Sequence, residues 1–203
     1  MTAGSLPADP GRVRTHVYQP RRVSGLLLLS AVVLNLGAVV MYAAGTEYGL
    51  VVETPTYHAW ERALLMSSYV AAALGTAVLE PALAEAGAAM LGRLAAIAFP
   101  MATSVALVME AVTFTEPEPY ALIVVAVLLL FGAELLLGVA LLASRLVPAW
   151  VGWAAVVWNL AWPVILSIVS PGEPSYPILH AIPLLMISIP LIQPRRQLSS
   201  LPA

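Results

Sequence analysis

Hydrophobic residues run along this chain in blocks and do not alternate with polar ones. Six nearly continuous apolar stretches fall at roughly 24–44, 59–79, 88–113, 120–144, 150–170 and 178–192. A helix needs about 20 apolar residues to cross a bilayer, and the blocks are close to that length. They predict six membrane helices. Between them lie short segments rich in Gly, Pro and carboxylates: 45–58, the turn PALAEAG at 81–87, TEPEP at 115–119 and PGEPSYP at 171–177. Pro100, Pro163, Pro183 and Pro190 fall inside blocks and predict breaks or kinks, because proline removes a backbone donor.

Residues 1–22 are polar, basic and Pro-containing, and are expected to be a disordered tail. A cleaved signal peptide is rejected, since the apolar run after Arg22 exceeds the 7–15 residues of a signal core. The expected organisation is a tail over 1–22, a six-helix transmembrane domain over 23–193, and a second tail over 194–203.

Composition agrees with that pattern. The chain has 203 residues, 61% of them hydrophobic and 10% charged, with a mean hydropathy of +0.91. A soluble domain has about 45–50% apolar and about 25% charged residues. The class is therefore an all-α polytopic membrane protein. The absence of cysteine excludes disulfides, thiolate metal sites, iron–sulfur clusters and a cysteine nucleophile. All nine basic residues are Arg, a bias that, with abundant Ala, Leu, Val and Pro, is associated with GC-rich bacterial genomes.

Charge orients the bundle. With six crossings, Arg12, Arg14, Arg21, Arg22, Arg93, Arg145, Arg195 and Arg196 lie on the side of the termini, and Arg62 alone lies opposite. Glu47, Glu53, Glu116, Glu118 and Glu173 fall on the Arg-poor side. Cytoplasmic loops are enriched in Arg, so both termini are expected in the cytoplasm, in a bacterial inner membrane. No internal repeat is visible, which counts against an inverted-repeat transporter. No soluble nucleotide-binding module is present, and nothing points to a nucleic-acid partner or a cofactor.

Within this frame Glu134 stands out as the one ionisable group of the fourth block. A charged carboxylate at mid-membrane costs about 2.5–3.5 kcal/mol on insertion scales, so Glu134 is expected to be neutral or paired inside the bundle. Counting 1.5 Å per residue from the cytoplasmic end puts it at roughly 14 Å. Asn159 falls at a similar depth, with Asn35 and Tyr69 within about a turn. These four polar groups predict either interhelical hydrogen bonds or a polar-floored pocket, in which Glu134 would be the catalytic acid and Asn35, Tyr69 and Asn159 would orient a substrate. Trp158 and Trp162, one turn apart, would line it; their faces can stabilise a cation.

A second set is expected near the outer surface: His58, Glu61, Arg62, Glu110 and His180. His58 and Glu61 share a helix face at a spacing of three. An ion-pair network around Arg62 is favoured over a metal site, because no repeated Glu-x-x-His occurs. Haem between His58 and His180 is disfavoured, since His58 falls at a loop boundary. The small residues Ala71, Ala72, Ala73 and Gly75, and Ala86 to Ala89 with Gly92, predict that the second and third helices form a tight antiparallel pair.

The stretch RLVPAWVGW, Arg145 to Trp153, resembles a group of small bacterial six-helix membrane proteins of uncharacterised function, which carry an Arg-x-x-Pro-x-Trp-x-Gly-like step between helices 4 and 5. The resemblance implies the six-helix architecture and no catalytic residues. In size and in its acid and aromatic content the chain is loosely similar to integral-membrane terpene cyclases, although no Asp lies in a membrane segment. That likeness implies acid chemistry on an alkene or epoxide.

Two functions of different class follow. One is an enzyme or binder acting on an apolar isoprenoid- or lipid-like molecule, by cyclisation or isomerisation. The other is a non-catalytic membrane subunit or regulator with a membrane-protein partner. A small-solute transporter is a third. All three have membrane lipid as their surroundings.

Overall fold

Helix is the only regular structure that a continuous apolar run can form in lipid without leaving backbone groups unsatisfied, and the apolar blocks of this chain are helical. The computed structural model describes residues 10–47, 55–113, 120–169 and 178–193, and no strand occurs among them. The α-helices are α1 (Pro10–Glu47), α2 (Pro55–Leu83), α3 (Ala89–Val112), α4 (Tyr120–Ser144), α5 (Ala149–Val169) and α6 (Ile178–Ile192). Three stretches, Gln19–Ala43, His58–Val112 and Tyr120–Ser144, are long and apolar enough to cross a membrane; Ala149–Ile165 and Ile178–Ile192 are shorter apolar helices.

Two helix starts differ from the sequence reading. α1 begins at Pro10, so much of the expected tail is helical; Pro10 opens the helix, where a missing N–H costs little, and Pro20 lies within it. α2 begins at Pro55, which puts His58 on a helix and not in a loop. The expected tail at 194–203, the acidic segments with Glu53, Glu116, Glu118 and Glu173, and Arg195 and Arg196 lie outside the described residues.

The 55-residue stretch His58–Val112 would reach about 80 Å as one helix, far beyond a hydrocarbon core of about 30 Å. It folds back at a π-helical turn, Ala84–Ala88, where Gly87 takes φ 86°, a left-handed conformation open to glycine. Three contacts fix the hairpin: Arg62 with Glu110, the Thr103 hydroxyl with the Tyr69 carbonyl, and Arg93 with Glu80. They step in opposite directions along the two helices, so α2 and α3 are antiparallel. They approach closely at Gly92, where a Cβ would stand 2.9 Å from the Leu83 Cβ. Gly75, in contrast, seats Leu28 of α1 and does not serve the hairpin.

The helices close into a ring. α2 packs on α1 and α3, α4 on α3 and α5, and α6 returns to α1 as well as touching α5. Leu28, Ala31, Leu65, Ala72, Leu79, Ala95, Phe99, Ala102, Leu137, Leu141, Val151 and Ile187 are among its buried residues. The outer faces carry Val33, Val40, Leu74, Ile97, Met101, Leu128, Val157 and Ile168, all exposed. A soluble protein would place charge there; an exposed apolar belt on this scale suits lipid. Tyr42, Trp60 and Tyr120 are exposed near one set of helix ends, and Trp150 and Trp153 at the start of α5, as aromatic belts require.

Two carbonyls of α6 lack helical donors, one because of a proline and one because the helix ends, and other helices supply them. Pro183 cannot donate to the carbonyl of Leu179, and that carbonyl accepts the indole N–H of Trp158 at 2.9 Å. Pro190 lies in the last turn, where carbonyls have no helical donor, and its carbonyl accepts a guanidinium N–H of Arg21 at 2.5 Å. A short, Pro-broken helix is thus held by α5 near its first turn and by α1 at its last.

Candidate functional site

Glu134 is on the inward face of α4, with Ala126, Leu130, Leu137 and Leu141, and is 2% exposed. Gly138, one turn on, lets α5 approach until its Ala155 and Val156 lie in contact range. Asn159 of α5, one turn beyond Ala155, is buried beside the Glu134 carboxyl. One N–H of its amide donates to the Ala155 carbonyl at 2.9 Å, the amide also hydrogen-bonds the Glu134 carboxyl, and Oδ1 has no partner.

Oε1 of Glu134 lies 3.0 Å from Nδ1 of His180, itself 4% exposed. This is a buried carboxyl–imidazole pair bridging α4 and α6. The proton between them can reside on either partner, giving a neutral pair or an ion pair. Phe131, one turn before Glu134, lays its ring 4.8 Å from the imidazole at a tilt of 34°. Trp158 and Trp162 stack at 5.4 Å and 8°, and the Trp158 bond to the Leu179 carbonyl secures the residue next to His180.

Three polar atoms of this region are buried without a partner: Oε2 of Glu134, Oδ1 of Asn159 and Nε1 of Trp162. Buried polar atoms are normally hydrogen-bonded. Two acceptors and one donor are thus without a partner in the part of the bundle that holds the acid–base pair and the stacked indoles.

His180 is therefore apart from the other residues expected at the outer surface. The depth count assumes that α6 starts at the membrane face, but its 15 residues span only about 22 Å. Its first turn lies level with Glu134.

The rest of that outer set does come together. Arg62 pairs with Glu110 at 2.5 Å, with Glu110 only 1% exposed, and His58 lies 3.7 Å from Glu61. Tyr69 joins this group: its phenol interacts with Glu110, and Glu134 acts on it as a weaker, more remote charge. Asn35 is buried on α1 with Oδ1 unpartnered, and α1 packs against α2 and α6. Among the described residues no three His, Asp or Glu side chains come together to hold a metal ion.

The sequence reading missed Phe131 and the pairing of His180. Both carried a signal. Phe131 shares the face of Glu134 at a spacing of three. His180 lies between Leu179 and Pro183, on a turn whose freed carbonyl demands a donor.

No protein-family model matches the chain, and no curated protein or solved structure does.

Proposed function

We propose that this is a six-crossing protein of the bacterial cytoplasmic membrane, with both termini in the cytoplasm, whose interior acid–base pair acts on an apolar isoprenoid- or lipid-like small molecule. The observation that carries the reading is the buried Glu134–His180 pair with one carboxylate oxygen unpartnered. Such a pair can deliver a proton to a bound alkene and recover one from the neighbouring carbon, which completes an isomerisation or cyclisation without net loss of atoms. The stacked faces of Trp158 and Trp162 suit the cationic intermediate. A positioned acid contributes about 10²–10⁴-fold to such a reaction.

The resemblance at Arg145 to Trp153 supports the crossing number. The distribution of Arg supports the orientation. Since the chain has no cysteine, single cysteines placed in successive loops and labelled from either side test both.

A second reading, a non-catalytic subunit, draws on Trp158 and Arg21, whose donors hold backbone carbonyls of α6 and so fasten helices together. Native mass spectrometry separates the two. Wild-type protein is expected to carry an apolar small molecule at near one copy, and Glu134→Gln to lose it with its folded mass unchanged. A bare wild-type protein with a stoichiometric membrane-protein partner would favour the subunit.

A further inference from the structure

Every buried carboxyl and imidazole among the described residues belongs to one row. Glu61 lies 3.7 Å from half-exposed His58 near the start of α2, and its charge reaches Glu110. Glu110 is paired with Arg62 at 2.5 Å. The Tyr69 phenol hydrogen-bonds Glu110 and also senses the charge of Glu134. Glu134 in turn holds His180 at 3.0 Å. One end of the row meets water, and the other stops inside the bundle.

Helix geometry explains how Tyr69 and Glu110 meet. The Thr103 hydroxyl bonds the Tyr69 carbonyl, so Thr103 marks the level of Tyr69 on α3, and Glu110 lies two turns, about 10 Å, further along. Side chains lean toward the N-terminus of their own helix. In the antiparallel hairpin those directions are opposed, so the two side chains lean toward each other and close the distance. In the other direction the row has no counterpart. Past Tyr69 and Glu134, toward the π-helical turn, the buried positions include Leu79, Leu83, Ala95, Phe99, Leu137 and Leu141. The buried Thr76 hydroxyl on that side is bonded to the Ala72 carbonyl of its own helix.

From this arrangement we infer that the Glu134–His180 pair is a proton-binding site loaded from one face of the membrane, the face where α2 starts, along Glu61, Glu110 and Tyr69, and closed to the other face. The transfer balances at the phenol. Glu110 passes a proton to the phenol oxygen while the phenol passes its own to Oε2 of Glu134, the carboxyl oxygen without a partner. One O–H bond forms and one breaks, and Tyr69 ends unchanged. A hydroxyl both donates and accepts, which Phe does not. Arg62 holds Glu110 in place for the step. The phenol is not hydrogen-bonded to Glu134. Since α2 packs directly on α4, one water molecule or a small turn of the ring closes that last gap as the proton passes. The inference goes beyond the isomerisation reading. A reaction that returns its own proton needs no outside supply, whereas a one-sided route serves chemistry or transport that takes protons up from that side.

The test is deuterium exchange of the proton shared by Glu134 and His180, on full-length protein in nanodiscs moved into heavy water. That proton reads as a carboxyl C=O stretch when it sits on Glu134 and as an Nδ1–H resonance when it sits on His180. Glu134→Gln and His180→Gln assign the two signals. Tyr69→Phe keeps the ring and removes the hydroxyl, and is expected to slow exchange at least about tenfold, the scale of one lost hydrogen-bonded link to a buried group. The double variant Arg62→Met with Glu110→Leu removes the outer end of the row and is expected to slow it as well. Thr76→Val, on the closed side, is expected to exchange at the wild-type rate. Loosened packing would speed exchange, so slowing separates a lost route from a structural defect.

Exchange as fast as wild type, or faster, in both Tyr69→Phe and the double variant overturns the route. Slowing by Thr76→Val to the same extent overturns its one-sidedness. The outcome is independent of the proposed lipid chemistry. Unslowed exchange in a protein that still carries an apolar molecule sinks the route alone, and slowed exchange in a protein that carries none leaves the route standing without that chemistry.

Discussion

Nδ1 of His180 and Oε1 of Glu134 are 3.0 Å apart, although 46 residues of chain separate them. The contact makes α4 and α6 partners through one hydrogen bond. Glu134→Gln preserves the shape and can still bond the imidazole, so its effect should fall on chemistry and not on folding. Once a substrate is in hand, turnover should drop about 10²–10⁴-fold, with a melting temperature in detergent within a few degrees of wild type. His180→Ala should lower both, because it strands a buried carboxyl. A Glu134→Gln protein that turns over normally would remove this residue from any mechanism.

Arg62 and Glu110 give a prediction of opposite kind. Glu110 is almost fully buried and Arg62 is its ion partner. Removing one member of a buried pair costs about 3–5 kcal/mol, while replacing both by apolar groups is often neutral. Arg62→Met should therefore melt much earlier than wild type. The double variant Arg62→Met with Glu110→Leu should regain most of the loss. Thermal denaturation of the three proteins checks this, and a double variant no better than Arg62→Met would point to a role beyond packing.

Two tryptophans of one stack should behave differently. Trp158 donates to the Leu179 carbonyl, and Trp162 has no partner for its N–H. Trp158→Phe is expected to cost about 0.5–1.5 kcal/mol of stability. Trp162→Phe should be close to neutral in the same melt.

Glycines divide in the same manner. A Cβ at Gly92 would press on Leu83 and one at Gly132 would meet nothing within 4 Å. Gly92→Val should destabilise the α2–α3 hairpin by about 1–3 kcal/mol, through overpacking. Gly132→Ala should raise stability by up to about 1 kcal/mol, the gain in helix propensity. Chemical denaturation in mixed micelles can resolve the two signs.

Much of the helical layout was legible from apolar run length. The apolar run Tyr120–Ser144 is α4 end to end, and the run 178–192 is α6. The PALAEAG segment contains the Gly87 reversal, because a left-handed position selects glycine. What run length does not carry is depth. It assumes that every helix starts at the same level, but the first turn of α6 lies level with Glu134 in the middle of α4, so His180 was grouped with Arg62 when it pairs with Glu134. Tyr69 erred in the other sense. Its depth matched Glu134 within about a turn, yet the antiparallel register of α2 and α3 turns its phenol toward Glu110. The proline pattern was the more informative signal: Leu179 lies four residues before Pro183, and its carbonyl found an outside donor.

The 46 residues between Glu134 and His180 also set an order of events. At a synthesis rate of about 5–20 residues per second, the acid leaves the ribosome roughly 2–9 seconds ahead of its base. For that interval an unaccompanied carboxyl has to be sheltered, by the insertion machinery or by the half-built assembly. A nascent chain cut short before residue 180 would keep Glu134 without this partner permanently.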